Sequence, residues 1–280
     1  MRKINIVLLA RDCDSTIIVY NNLKQYFEIE AIILEKTISK ITQFKRRVKL
    51  LGLWTAVGQL VFMMTVFPFL KLFSQKRKKE IYEQYHLDIS PLPKEKIIHV
   101  DKLSSSAARE VLQKLNPDLL IVNGTRIISK KTLESVKAPF INIHVGITPE
   151  FRGVHGGYWA MATGKKNLFG VTIHYVDTGV DTGEIIEQVF TLPVKKDNFY
   201  TYPYLQTAIC LDALKKITLT FIEGKKPGTH QPVTIESEIR FHPTIFQWLG
   251  NLKRTLIFVF LFCAVELFSE LLCNTICPVY

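Results

Sequence analysis

The sequence predicts an α/β fold, a Rossmann-like and mostly parallel sheet with helices on both faces. Three observations carry this expectation. Residues 4–10, 119–122 and 140–143 are nearly uninterrupted apolar runs of strand length, as expected of strands buried on both faces. Segments with an apolar helical stripe alternate with them. Polar residues gather just after these runs, where open α/β sheets bind ligands.

The first run, 4–10, is followed at once by Arg11, Asp12 and Asp14 and has no small-residue cleavage site. It reads as a strand and not as a signal peptide. Asp14 and Ser15 are placed to cap a helix carrying Ile17, Ile18 and Leu23. Residues 30–34 form the next strand and complete a βαβ unit. No Gly-x-Gly-x-x-Gly follows the first strand, so the dinucleotide fingerprint is missing.

A hydrophobic helical insertion then occupies 44–80. Residues 50–70 carry no charge, and Lys45-Arg46-Arg47 and Lys76-Arg77-Lys78-Lys79 flank them. The length reaches the roughly 20 residues a bilayer span needs, yet Gly52, Gly58, Gln59, Thr65 and Pro68 dilute it. Basic residues on both sides give no orientation signal. Three readings stand open: a helix packed on the domain or on a second subunit, an interfacial helix on an anionic membrane, and a true span.

Strands at 96–100, 119–122 and 140–144 and helices at 104–115 and 133–136 continue the α/β pattern. A long helix is expected at 200–223, then a basic turn at 224–228. Residues 256–265 are wholly apolar before Glu266 and Glu270 interrupt. This C-terminal hydrophobic helix suits burial or dimer formation, with membrane insertion of 256–272 as the alternative. The expected division is 1–200 as a catalytic domain, 201–254 as a helical and extended extension, and 255–280 as the tail helix.

Hydrophobic residues at 48% exclude a disordered chain. The net charge of +11 suits an anionic partner. It reads as spread along the chain, and no zinc-finger or aromatic–basic strip points to nucleic acid. The five cysteines, Cys13, Cys210, Cys263, Cys273 and Cys277, are odd in number and form no C-x-x-C. They read as free thiols of a cytoplasmic protein, with membrane association and a homodimer left open.

The chemistry is concentrated in 140–186. Asn142 and His144 are two apart and leave the same face of a strand. Asp181 follows the alternating run 170–176, inside Gly179-Val180-Asp181-Thr182-Gly183. A helix at 157–164 and a returning strand would bring it back to His144. An amide, an imidazole and a carboxylate in one cleft can stabilise an oxyanion and move a proton. The spacing alone equally fits two structural strands with a satisfied histidine and a turn aspartate. His155 and His174 have no third ligand at regular spacing and read as core residues, so no metal is expected.

Asn142-x-His144, Pro149, Arg152-Gly153, Trp159-Ala160, Gly164, the 170–174 run, Asp177 and the 179–183 turn make this segment resemble the formyl transferase family, the folate-dependent N-formyltransferases. The likeness is densest over 119–186. Where the family usually has a Ser-Leu-Leu-Pro-like run, this chain has Val145-Gly146-Ile147-Thr148-Pro149. The resemblance implies transfer of a formyl group from 10-formyltetrahydrofolate to a primary amine. It implies Asn142 and a protonated His144 at the oxyanion, with Asp181 holding the imidazole and raising its pKa. It assigns Gly124, Thr125, Arg126, Ile127, Ile128, Val145, Gly146, Asp177 and Gly179 to the donor, and Arg152 and Gly153 to the acceptor.

The first loop lacks the Gly-Ser-Asn type phosphate turn of members acting on glycinamide ribonucleotide. Too few residues follow for the β-barrel of members acting on initiator tRNA. A small-molecule amine remains, a nucleotide-linked amino sugar by elimination. The rival readings are a formyltetrahydrofolate hydrolase and a non-catalytic, membrane-associated folate-binding protein.

Overall fold

The computed structural model describes residues 4–233 and 236–254. The expected tail helix at 255–280, with Cys263, Cys273, Cys277 and the 256–272 membrane contact, lies outside the described residues. In chain order the elements are β1 (Ile6–Ala10), α1 (Asp14–Leu23), β2 (Ile29–Glu35), α2 (Lys40–Leu51), α3 (Leu53–Met64), α4 (Val66–Phe73), α5 (Gln75–Gln84), β3 (Ile97–Val100), α6 (Ser106–Leu115) and β4 (Leu119–Asn123). They continue as α7 (Lys130–Leu133), β5 (Phe140–His144), β6 (Phe151–Gly153), α8 (Gly156–Ala162), β7 (Gly170–Tyr175), β8 (Ile185–Phe190), α9 (Tyr202–Ile222), β9 (Glu238–Arg240) and α10 (Ile245–Gly250).

Among the described residues the main sheet runs β3-β2-β1-β4-β5-β7-β8. The first five strands are parallel. β7 is antiparallel to β5, and β8 to β7. Every residue of β1 and β4 is buried, which explains their unbroken apolar sequence. The chain order reverses between β1 and β4, so the switch point, where such sheets bind ligands, lies at their carboxyl ends beside β5.

Local sequence sets the helix ends. Ser105 accepts from the Ala108 N–H at the start of α6, and Asn116 ends it in the left-handed region (φ +43°). At α1 the N-cap is Cys13 and not Asp14. Asp14 sits one residue inside the helix and accepts from Lys78 Nζ (2.7 Å) and Tyr204 Oη (3.0 Å).

The insertion packs on the domain. Ala56, Gly58, Gln59 and Phe62 of α3 and Leu70 of α4 are buried. Phe62 lies edge-on to Phe199 (4.9 Å between centroids) and 6.1 Å from Trp248. Gln59 Nε2 donates to the His242 carbonyl (2.8 Å). The apolar run breaks at Thr65 (φ −110°, ψ −65°). Pro68 supplies no N–H to the Met64 carbonyl and crowds it, so one straight helix does not form. Leu53–Phe73 is long and apolar enough to cross a bilayer by length and composition, but one of its faces is packed on the domain.

The expected boundary at residue 200 also moves. Cys210, Leu211, Leu214, Ile217 and Ile222 of α9 share one core with Ile6 and Leu8 of β1, Ile141 and Ile143 of β5, and Val171 and Ile173 of β7. The α/β unit runs through α9, because one face of the sheet needs that helix as its cover.

Phe62→Ala is expected to destabilise the fold by about 3–5 kcal/mol, read as a lower urea midpoint. Trp54→Ala, at a side chain 85% exposed on the same helix, is expected to leave the midpoint within about 0.5 kcal/mol.

Candidate active site

The parity of β5 sends Asn142 and His144 to one side, and antiparallel pairing sets Asn142 opposite His174 and His144 opposite Thr172. The loop after β7 then carries Asp181 back over β5. Asp177 closes that loop, accepting from the Gly179 N–H (3.0 Å) and the Thr182 hydroxyl (2.8 Å). A side chain on Gly179 would strike the Thr182 hydroxyl, so the clasp needs glycine there. Inside it Asp181 has φ +50°, a conformation that Asp tolerates better than most residues.

Asp181 is the hub. Its Oδ2 lies 3.3 Å from His144 Nδ1 and accepts from the Gly153 N–H (2.9 Å). Its Oδ1 accepts from Asn142 Nδ2 (3.3 Å) and lies 3.6 Å from His174 Nε2. The other Asn142 Nδ2 hydrogen reaches His174 Nε2 (3.1 Å). His174 Nδ1 is 2.7 Å from the Tyr175 carbonyl, which can only accept, so Nδ1 donates to it. His144 Nε2 likewise donates to the Phe151 carbonyl (2.7 Å).

Burial pushes the His144 pKa below its ordinary value, and the opposing pull of the Asp181 carboxylate does not restore it. That corrects the expectation of a raised pKa and a resident imidazolium. The two ring nitrogens of His144 face two acceptors, the Phe151 carbonyl at Nε2 and the Asp181 carboxylate at Nδ1. Burial pushes the Asp181 carboxyl up, but His144, His174 and the Gly153 N–H outweigh it and hold the pKa at about 2. Both Asn142 amide hydrogens have partners in this arrangement, His174 and, by the longer bond, Asp181.

The other expected site residues divide. Gly124 (φ +66°) ends β4 with open space where a Cβ would be, and its carbonyl accepts from Arg11 Nε (2.5 Å). Thr125 bonds only within the loop, to the Arg126 carbonyl. Arg126 is committed elsewhere. Its guanidinium pairs with buried Glu35 at the end of β2 (2.9 Å) and donates to the Asp101 carbonyl, so the loop runs away from β5. Ile128 is buried in the core between β1, β4 and α6, while Ile127 is 59% exposed.

Gly146 lies directly against the imidazole, and the Val145 carbonyl lies against Gly156 at the start of α8. A Cβ on Gly146 would come within 2.7 Å of His144 Nε2 and 2.6 Å of the Phe151 carbonyl. Arg152 donates to the Val180 carbonyl (3.4 Å), and its Nε is buried without a partner. Gly153 (φ +91°) passes so close to the Arg240 carbonyl that a Cβ would clash at 2.4 Å.

Sequence reasoning missed His174, read as an ordinary core histidine. It is buried, but it fixes the Asn142 amide. Thr-x-His on β7 facing Asn-x-His on β5 is the signal, legible once the two strands are known to pair. It also missed His155 and His242, joined Nε2 to Nδ1 at 2.9 Å beside the site, with His155 stacked 4.4 Å from Phe199. Among the described residues no group of three or more His, Cys, Asp and Glu is placed to hold a metal ion.

The end of β5 thus gathers an amide, two imidazoles and a carboxylate at the switch point of a doubly wound sheet, groups that can hold and move a proton. Residues 70–201 match the family profile described as Formyl transferase. A methionyl-tRNA formyltransferase of Clostridioides difficile is 31% identical over 145 residues, 50% of this chain and 45% of that protein. The chain thus spans less than half the length of the curated relatives it matches.

A phosphoribosylglycinamide formyltransferase from Anaplasma phagocytophilum superposes with TM-score 0.53 at 16% identity, over 86% of this chain and 100% of that one. WlaRD, a sugar 3N-formyl transferase solved with dTDP and 5-N-formyl-THF, superposes with TM-score 0.50 at 18% identity, over 86% of this chain and 70% of that one. At these identities the likeness is one of fold, and the three proteins' names state three different acceptors.

Burial and neighbouring arginines hold His155 down to about 3 and His242 well below its ordinary value. Unfolded histidines take up protons below about pH 6.5, and these two do not while folded. Stability is therefore complete above that pH and falls as pH drops toward 3, by about 1.4 kcal/mol per pH unit for each neutral histidine. Urea midpoints between pH 7.5 and 5 are expected to fall accordingly. His155→Asn, which tolerates the left-handed backbone (φ +59°), is expected to remove about one histidine's share of the slope.

Proposed function

We propose that this protein transfers a formyl group from 10-formyltetrahydrofolate to a primary amine on a small-molecule acceptor, with Asn142, His144 and Asp181 as the catalytic residues. The observation that carries the reading is one carboxylate, Asp181, seated on both side chains of an Asn-x-His strand end. The donor supplies an activated formyl carbon. Gly124, with open space above it, and exposed Ile127 are the parts of their loop left free to meet the donor. Arg126 and Ile128 act there through backbone and packing only.

In the reaction the amine nitrogen bonds to the formyl carbon while the carbonyl oxygen takes up the electron pair. Asn142 turns the hydrogen it shares with Asp181, the longer of its two bonds, to that oxygen. One such donor is worth about 3 kcal/mol. His174 keeps the other hydrogen and so fixes the amide's direction. Asp181 and the Nδ1 of His144 receive the amine's proton between them. They return it to the folate nitrogen as its bond to the formyl carbon breaks.

For the acceptor we propose an anionic amine such as a nucleotide-linked amino sugar. What supports this is a rim of cations: within the described residues no carboxylate pairs with Arg11, Arg47 or Arg152. Burial lowers the pKa of the Arg47 guanidinium.

Purified protein given 10-formyltetrahydrofolate and a panel of amine metabolites is expected to add the mass of one formyl to a phosphorylated amine. His144→Ala is expected to lower turnover about 100-fold or more while donor affinity stays. Donor consumption without any amine would identify a hydrolase. No consumption under any condition would overturn the enzyme reading.

A further inference from the structure

The geometry points to the outer face of the α3–α4 insertion as a docking surface for an anionic lipid bilayer, lying in the interface and not crossing it. The inner face of these helices is protein core, as described above. The outer face is different. From Leu53 to Phe73 the mean hydropathy is 1.7, and only 28% of the most apolar window is buried. Leu50, Leu53, Trp54, Met64, Leu72 and Phe73 are all at least half exposed. No charged residue breaks the stripe between Leu50 and Leu70. An apolar face of this extent on a surface helix is seldom left to water.

Charge selects the occupant. Residues 36–79 contain eleven lysines and arginines and no aspartate or glutamate. The whole chain has 36 cations and 25 anions, an excess that is also eleven. The remainder of the protein is therefore neutral on balance, and the expectation of a spread charge is corrected. Lys36, Arg77, Lys78 and Lys79 have carboxylate partners. Lys40, Lys45, Arg46, Lys49, Lys71 and Lys76 are exposed and enter no ion pair among the described residues.

The free cations thus flank the apolar stripe at both ends, the arrangement of an interfacial helix that buries its apolar side among acyl chains and sets its cations among acidic headgroups. Trp54, the most exposed of these side chains, is of the type enriched at that interface. A second copy fits poorly. A two-fold interface sets a patch against itself, and here that would oppose six unpaired cations to six.

Docking would also orient the site. Gln59 on the inner face holds the His242 carbonyl, His242 bonds His155, and two residues before His155 the Gly153 N–H holds Asp181. The inner face of the insertion is thus tied to the site through a short series of hydrogen bonds.

The inference does not rest on the formyl-transfer reading, and its test contains neither donor nor amine. The full chain is sedimented with vesicles of phosphatidylcholine alone and of phosphatidylcholine mixed with phosphatidylglycerol, at low and high salt. It is expected to sediment with the mixed vesicles, less so at high salt. Its tryptophan emission should shift to the blue there, since Trp159 and Trp248 are already buried. Leu53→Glu with Trp54→Glu is expected to abolish the shift and weaken partitioning about ten-fold or more. Lys45→Glu with Lys49→Glu is expected to remove the preference for acidic lipid on a similar scale. Both pairs are exposed, and unchanged circular dichroism will show the fold intact. Vesicle binding that neither pair alters would place the contact elsewhere in the chain and overturn the inference. So would a protein that ignores vesicles but forms a dimer that Leu53→Glu with Trp54→Glu dissociates.

Discussion

The seating of the Asp181 carboxylate is the constraint on which the site depends. Its residue sits in a left-handed conformation that costs about 1 kcal/mol or more for a non-glycine, and it does so inside a loop tied shut by Asp177, Gly179 and Thr182. From that position one carboxylate meets the Gly153 N–H, the Asn142 amide and two imidazoles. Remove the clasp, and Asn142 and His144 are two side chains on a strand end with nothing to set their direction. The close approach of Gly146 to the imidazole and of Gly153 to Arg240 serves the same end. It lets the loops on either side of β5 close without displacing the carboxylate.

Two forces contend over the proton at this site. Burial favours a neutral His144, while the carboxylate at 3.3 Å favours an imidazolium. Burial prevails in the resting protein, yet the geometry already suits the charged form, since the Phe151 carbonyl and Asp181 are both acceptors. A histidine in that condition is poised to gain a proton when a reacting amine releases one. A permanently protonated ring would have no such capacity.

What was legible in the sequence was whatever depends on period and local chemistry. The buried strands follow from unbroken apolar runs, the start of α6 from the serines at 104–106, and the shared face of Asn142 and His144 from parity. What was hidden depends on partners far along the chain. His174 looks like any histidine in an apolar strand until β7 is set against β5. Arg126 is a loop cation beside β4 until Glu35, 91 residues earlier, claims it. The boundary at 200 failed for the same reason, because the sheet's need for α9 as a cover is not written in α9 itself.

The insertion shows why composition alone misled. An uncharged run of this length allows burial, an interface or a span, and hydropathy cannot choose among them. The choice is made by how the two faces of the same helices differ. Phe62 and Gln59 commit one face to Phe199, Trp248 and the His242 carbonyl. Thr65 divides the run into α3 and α4, and Pro68 withholds one helix hydrogen bond just after it. The opposite face keeps apolar side chains that no packing within the described residues requires, with cations at either end that no carboxylate offsets. A segment whose inner half is explained by the fold and whose outer half is not carries information about its surroundings. Here the explained half is the one that reaches, through Gln59 and the His242 carbonyl, toward the site, and the unexplained half faces away from it.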